Sequence, residues 1–478
     1  MGRRASATPR PPSRPAERAL AVVGAAGAVA LAFVVVHRSP PAAGTLALAP
    51  LLAWLLTRSY GGLALGLVLV LALPYWWTVG TAQATVLRLA ALAAATGLLF
   101  AHRLRPCLTD VALAALLATI LLAWVLVYPQ PHVGRVVSIE LTPLGFYFGA
   151  RALPGHRLPL AMNVILIGGT LGALSVLYEL WQGHAVFVDP LQYQWNATDS
   201  STFRPGGVFG SPPGAGTVLS FVVLFGLPCL AAARGRRRAL AASCLIVCSA
   251  ALIATFTRAD IVATALGLLV YLCLTRSSLL RPLRVAWFAV AVAGLVVLLL
   301  PRLQTNSTFQ EAIVRPGNLT AREGYWNVAL PITTANAHNL IVGVGTGSLE
   351  VSLVSNEVPI PSELAASPEI VENSLHNQYL TTLFEQGLLG LAALLLFLLA
   401  PLFAAVKAAL TTRDPCHAAI AASIVSMAIV MSVDTALLHG PSFAMILVAT
   451  GFAASGAQRR SSDPRGGSRG DSRPARGS

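Results

Sequence analysis

The sequence predicts an all-α, polytopic integral membrane protein with about 14 transmembrane helices (a range of about 12–14) and one large extracytoplasmic loop. Hydrophobic residues make up 55% of the 478 residues and charged residues only 11%, which excludes an ordinary soluble domain. Apolar stretches of about 17 to 25 residues, long enough to cross roughly 30 Å of hydrocarbon, recur along nearly the entire chain. Continuous apolar runs of this length indicate helices and not a β-barrel.

The helices are predicted from these apolar stretches in chain order. The first follows an Arg-rich tail and could mimic a secretory signal, but a multi-span chain more often keeps such a segment as an anchor, so we expect it to be retained. The two weakest spans are 136–150 and 260–275. The predicted spans lie near 19–37, 41–57, 61–78, 82–101, 110–128, 136–150, 158–178, 216–233, 239–256, 260–275, 284–301, 378–409, 416–434 and 441–457.

The orientation is predicted from the positions of Arg and Lys, because short loops rich in these residues stay in the cytoplasm. With both termini inside, most of the 33 basic residues fall in cytoplasmic tails and loops, including RGRRR at 234–238 and QRR at 458–460. Omitting the weak span 136–150 would reverse every later loop. The net charge of +14 is therefore mainly a topology signal. A nucleic-acid partner is disfavoured, because the basic residues do not form one stripe.

The domain organisation follows from the spans. Both tails are rich in Arg, Pro, Ser and Gly, so we expect them to be disordered. Two outer segments depart from the pattern of spans and short loops: 179–215 and the large loop 302–377, which is far longer than a simple connection. We expect function in these two segments. The predicted units are a tail at 1–18, helices over 19–301 including the loop 179–215, a large outer loop at 302–377, helices over 378–457 and a tail at 458–478.

The large loop contains two local motifs. TARE at 320–323 fits a capping box and predicts a helix from Ala321 to about Leu330, ended by Pro331. Arg322 then shares a helix face with Trp326, either as part of a site or as a solvated Arg stacked on an aromatic ring. VGVGTGS at 342–348 could cradle an anion through its backbone N–H groups, but a tight turn back towards the membrane is favoured.

The stretch from Arg322 through VGVGTGSLE to HNQYLTTLFEQGLLGL resembles the bacterial O-antigen ligase and O-antigen polymerase superfamily. The resemblance implies a multi-pass protein of the bacterial cytoplasmic membrane that acts on a polyprenyl-pyrophosphate-linked glycan without a metal or other cofactor. It implies that His376, at the junction of loop and helix, is catalytic. It also implies that Arg322, Arg204 in FRPGGVFGSP and Arg258 in TFTRAD bind the pyrophosphate.

The chemistry of these residues agrees with that role. The predicted topology puts Arg204, Arg258, Arg322 and His376 on the same side of the membrane, although they are scattered along the sequence. Guanidinium groups can stabilise the negative charge of a leaving pyrophosphate, and the chain has no Asp-x-Asp pair for a metal. A neutral imidazole could take the proton from an acceptor hydroxyl. Alternatively, His376 could cap the helix or donate to phosphate.

Several other polar residues are candidates for support. Asn377 accompanies His376 at the membrane surface, where the donor's pyrophosphate would lie. Glu385 is nine residues beyond His376, roughly 13 Å along the helix and on nearly the opposite face from it, so we expect it to pair structurally and to bend the helix near Gly387. Arg88 and Glu140 lie within spans and could pair with each other or line the same cavity.

The sequence therefore favours a membrane glycosyltransferase acting on the outer face of the cytoplasmic membrane. Its partners would be a polyprenyl-pyrophosphate-linked glycan donor, a glycan or lipid-linked acceptor and membrane lipids. A transporter or flippase for lipid-linked sugars is the main alternative, but it should show internal repeats and polar residues near the midplane. A non-catalytic assembly partner would leave the Arg and His residues without a task.

Overall fold

The computed structural model describes residues 61–72, 106–126, 144–187, 203–275, 326–327, 329–345, 375–435 and 440–461. The predicted spans near 19–37, 41–57, 82–101 and 284–301 lie outside these residues. The same is true of the tail at 1–18 and of most of the large loop. Of the candidate site residues, Arg88, Glu140 and Arg322 also lie outside them.

Helices form the regular structure of the described residues. Eleven have defined bounds among them: α1 Gly61–Ala72, α2 Leu108–Leu126, α3 Leu144–Ala152, α4 Leu158–Gln182, α5 Pro212–Ala232, α6 Arg236–Ala254, α7 Arg258–Thr275, α8 Ala337–Val342, α9 Gln378–Thr412, α10 Pro415–Val430 and α11 Gly440–Ser461.

These helices agree with a polytopic membrane protein. Five of the described helices are long and apolar enough to cross a membrane, and the predicted span at 260–275 is among them. The five are Gly155–Gln182, Pro212–Ala232, Arg236–Ala254, Arg258–Thr275 and Gln378–Thr412. The predicted count of about 14 spans and the limits of the large loop stay predictions.

The last helix extends slightly beyond the predicted start of the C-terminal tail at residue 458, since α11 continues to Ser461. The reason is that Gln458, Arg459 and Arg460 are helix-compatible residues, so a helix that has already formed extends through them at little cost. The predicted disorder of the tail stays a prediction.

Contacts between helix ends show which ends of the helices lie together in the bundle. The starts of α5 and α7 lie together: the hydroxyl of Thr217, in the second turn of α5, donates to Oδ1 of Asp260, in the first turn of α7, at 2.9 Å. The far end of α5 meets the start of α10, where the buried side chains of Cys229 and Cys416 lie near each other. The end of α10 therefore lies at the same end of the bundle as the start of α7.

The start of α9 joins that same end. The N–H of Gln378 donates to the carbonyl of Met431, just after α10, at 2.8 Å. The hydroxyl of Tyr379 donates to the carbonyl of Ala428, also at 2.8 Å. We call this the His376 end of the bundle. The arrangement agrees with the alternation of the predicted spans.

The bend predicted near Gly387 is confirmed. Gly387 has φ 65 and ψ −164 inside α9, which breaks the helical hydrogen-bond pattern. The carbonyls of Phe384 and Glu385 instead accept hydrogen bonds from the N–H groups of Val344 and Gly345, each at 2.9 Å. The glycine-rich segment thus satisfies the backbone groups that the bend exposes. Because these two N–H groups already donate to backbone carbonyls of α9, the hypothesis of an anion cradle that includes them is wrong.

Replacing Gly387 by alanine is expected to destabilise the protein strongly. A Cβ at Gly387 would lie 2.3 Å from the carbonyl oxygen of Ile341, and the backbone conformation there is one that glycine alone adopts readily. Gly183→Ala is the matched control, since Gly183 also has a positive φ but nothing within 4 Å of an added Cβ. The control should cost only about 1–2 kcal/mol. Thermal unfolding of both variants in detergent should show the larger fall for Gly387→Ala; equal falls would contradict the clash.

Candidate functional site

His376 occupies a constrained position immediately before α9. Its φ of 47 lies in the left-handed region, which His adopts more readily than most residues. The backbone is held on both sides of it. The carbonyl of Leu375 accepts a hydrogen bond from Nε1 of Trp326 at 2.9 Å, and the N–H of Gln378 binds Met431. Unusual backbone geometry that its surroundings enforce in this way is typical of functional residues.

Asn377, and not His376, caps α9. The side-chain oxygen of Asn377 accepts a hydrogen bond from the N–H of Leu380 at 3.1 Å. Its side-chain nitrogen donates to the carbonyl of Ser432 at 2.9 Å. The hypothesis that His376 caps the helix is therefore wrong. Proton transfer and donation to phosphate are the two roles that the sequence analysis leaves for the imidazole.

Trp326 supports this junction from the large loop. It belongs to the Trp326 segment, which we define as helical residues 326–327 and 329–334. Ala329 and Ile332 of this segment form a buried cluster with Leu375 and Phe384, and Trp326 packs against that cluster. The Trp326 segment is thus attached to the backbone just before His376 and packs against Phe384 of α9.

The prediction that Pro331 ends this helix is wrong, because helical residues continue to 334. Proline removes one backbone hydrogen bond, but burial of Ile332 holds the following turn in place. The hydroxyls of Thr333 and Thr334 also bind the carbonyls of Ala329 and Leu330, both at 2.9 Å. Tertiary packing therefore outweighs the local preference.

Arg204 and the turn before Arg258 are in direct contact. Nε of Arg204 donates to the carbonyl of Thr255 at 3.2 Å, and Nη2 donates to the carbonyl of Phe256 at 3.4 Å. Phe256 has a positive φ of 53, so this turn is itself constrained. Arg258 follows two residues later as the first residue of α7, and its side chain is exposed.

The structure therefore places three of the predicted site residues at one end of the bundle. Arg204 and Arg258 adjoin the same turn, at the end where α7 begins. His376 lies at that end too, because α9 starts beside the end of α10. Among the described residues, no group of three or more His, Cys, Asp or Glu side chains is placed to hold a metal ion.

Asp260 supports the start of α7, a role that the sequence analysis missed. It is 2% exposed, lies in the first turn of α7 and accepts the hydrogen bond from Thr217. A carboxylate in this position is also favoured by the helix dipole. The signal was present in the sequence, since Asp260 follows Arg258 closely and is charged at the start of a predicted span.

Glu385 is buried, and its structural pairing stays a prediction. Its backbone carbonyl takes part in the contact with Gly345 described above. The neighbouring Gln386 accepts a hydrogen bond from the hydroxyl of Thr119, on α2, at 3.2 Å. These contacts tie the bend of α9 to both the loop and a second helix.

The fold and this site define a helical membrane protein with basic residues and a histidine gathered at one end of its helices. Residues 241–395 match the family model of the O-antigen ligases, which confirms the resemblance to the O-antigen ligase and polymerase superfamily. The matched range includes Arg258, Arg322 and His376 but not Arg204. No curated protein matches the chain.

Proposed function

We propose that the protein is a membrane glycosyltransferase that transfers or polymerises polyprenyl-pyrophosphate-linked glycan on the outer face of the bacterial cytoplasmic membrane. The observation that carries the proposal is the position of His376. It lies in the range that matches the O-antigen ligase family model, in a constrained junction, at the end of the bundle where Arg204 and Arg258 adjoin one turn. That combination fits a reaction between an acceptor hydroxyl and an anionic leaving group.

His376 acts as the general base in the proposed reaction. Its neutral imidazole takes the proton from an acceptor hydroxyl, whose oxygen then attacks the anomeric carbon of the donor sugar. A bond from that oxygen to carbon forms, while the bond from carbon to the pyrophosphate oxygen breaks. The leaving group is polyprenyl pyrophosphate, which carries away the electron pair of the broken bond.

Arginine side chains stabilise the charge on that leaving group. Arg258 and Arg204 lie beside one turn, so both can approach the same pyrophosphate. Arg322 precedes Trp326 by four residues, one helical turn in the predicted loop helix. Because Trp326 binds the carbonyl of Leu375, a helix continuing back to Arg322 would bring this third guanidinium towards His376. Guanidinium groups supply this charge without a metal.

A transfer assay in detergent tests the enzyme against the alternative of a transporter. A flippase only moves its substrate from one side of a membrane to the other. Detergent micelles do not separate two compartments, so a flippase would produce no chemical change there. We expect the purified protein to release polyprenyl pyrophosphate from a lipid-linked glycan donor when an acceptor is added. Purified protein that binds the donor but releases no polyprenyl pyrophosphate, with any acceptor supplied, would favour the transporter.

The orientation is tested by reporter fusions along the chain. Fusions at 105, 236 and 460 are expected to report the cytoplasm, and fusions at 200 and 340 the outer side. The reason is the distribution of Arg and Lys among the loops. A cytoplasmic signal at 200 or 340 would contradict the proposed mechanism, because the donor would then face the wrong side.

A further inference from the structure

Glu179 is a buried carboxylate that the proposed reaction does not use. It lies in the last turn of α4 and is 0% exposed. Burial of a charged carboxylate is costly unless it is well hydrogen-bonded. The C-terminal end of a helix offers no compensation, because the helix dipole disfavours negative charge there. The stabilisation must come from groups outside α4.

Four backbone N–H groups from two separate segments bind this carboxylate. Those of Val186 and Phe187 both donate to Oε1 at 3.0 Å. Those of Gly206 and Gly207 donate to Oε2 at 3.1 and 2.7 Å. Hydrogen bonds to an ionised acceptor are about twice as strong as neutral ones. Glu179 therefore fastens the backbone on both sides of residues 188–202 to α4.

The pair of glycines makes this close approach possible. Gly207 has a φ of +56, and a Cβ there would lie 2.4 Å from the hydroxyl of Ser175. A Cβ at Gly206 would lie 2.8 Å from the backbone of Ser211. The hydroxyl of Ser175 adds one more bond, accepting from the N–H of Val208 at 2.9 Å. The two glycines thus allow the backbone of residues 206–208 to approach Glu179 and Ser175 closely.

The fastened segment carries Arg204 two residues before Gly206. The guanidinium of Arg204 in turn binds the carbonyls of Thr255 and Phe256, in the turn that leads into Arg258. A continuous series of contacts therefore runs from Glu179 through the glycines to both arginines. Loss of the carboxylate would release the backbone that sets the reach of Arg204.

We infer that Glu179 is a positioning residue, which holds residues 203–208 so that Arg204 and Arg258 are directed to one anionic ligand. The identity of that ligand rests on the proposed function. The attachment of residues 203–208 to Glu179 does not depend on the proposed function. The attachment and its effect on transfer can therefore be measured separately.

Amide hydrogen exchange in the purified protein measures the fastening. Glu179→Gln keeps the shape of the side chain but turns one terminal oxygen into an NH₂ group, which faces two N–H donors. We expect exchange at 186–187 and 206–207 to accelerate by about tenfold or more, the size expected when hydrogen bonds to a charged group are lost. Asp414→Asn is the control, because Asp414 caps α10 at the other end of the bundle. It should leave these amides unchanged.

Transfer kinetics measure whether Glu179 acts through Arg204. Glu179→Gln, Arg204→Ala and the double variant form a double-mutant cycle on kcat/KM for the lipid-linked donor. We expect Glu179→Gln to lower kcat/KM by about tenfold. The double variant should be no worse than the poorer single variant. A purely structural role elsewhere would instead give losses that multiply.

The outcomes are distinguishable. Unchanged exchange at 206–207 in a folded Glu179→Gln protein, or multiplying losses in the cycle, overturns the inference. Faster exchange together with normal transfer by Arg204→Ala would refute the proposed role of Arg204 while leaving the fastening of the loop intact. Should Glu179→Gln fail to fold, Glu179→Asp is measured in its place, since it keeps the charge but is one methylene too short to reach both segments.

Discussion

His376→Ala is expected to give a folded, membrane-inserted protein whose transfer rate falls by about a hundredfold to ten-thousandfold, the usual cost of removing a general base. The fold should survive because Asn377 caps α9 and Trp326 binds Leu375, and neither contact uses the imidazole. The measurement is single-turnover transfer with purified lipid-linked donor. His338→Ala is the control, since His338 is exposed in the same loop.

His376→Asn separates the two chemical roles of the imidazole. Asparagine tolerates the left-handed backbone at this position and can donate a hydrogen bond to phosphate, but it cannot accept a proton as a base. We therefore expect it to be as inactive as His376→Ala. If it restores transfer, His376 donates to phosphate; near-normal turnover by His376→Ala would exclude both roles.

The long apolar helices were predictable because each is encoded by a continuous apolar stretch, whereas α8 in the large loop was not predicted. The predicted span 158–178 became α4 and 239–256 became α6, with bounds that differ by a few residues. What local pattern could not predict are contacts between distant segments. The helical turn after Pro331 depends on the burial of Ile332, and the bend at Gly387 is completed by carbonyl contacts with Val344 and Gly345.

The site was predictable to the same degree. Alternation of spans across the membrane predicted that Arg204, Arg258 and His376 would share one end of the bundle. The distances of that arrangement could not be predicted, because they depend on turns such as the one at Phe256. Glu179 was missed for a physical reason. A single acid at the end of a span resembles an ordinary interfacial residue until the loops that supply its four N–H donors are folded over it.

Arg258→Lys is expected to lower transfer by about tenfold to a hundredfold although the charge is unchanged, because a hydrogen-bonded ion pair to phosphate is partly lost. Guanidinium presents a planar fork that binds two oxygens at once, whereas the ammonium of lysine is a point charge on a flexible stem. The same loss is expected for Arg322→Lys. Arg237→Lys, at an exposed arginine in the first turn of α6, is the control and should transfer normally.

Arg204→Lys should have a milder effect than either, because Nε and Nη2 of Arg204 bind the carbonyls of Thr255 and Phe256 and so serve the turn as well as the donor. Neither EDTA nor added Mg²⁺ should change transfer by the wild-type protein, since the proposed leaving-group charge is held by guanidinium groups. Normal activity of both Arg258→Lys and Arg322→Lys would mean that these side chains act through charge alone or lie away from the donor. Loss of wild-type transfer on chelation would instead assign that charge to a metal ion, and the arginines would then have to be assigned to binding the glycan or the acceptor.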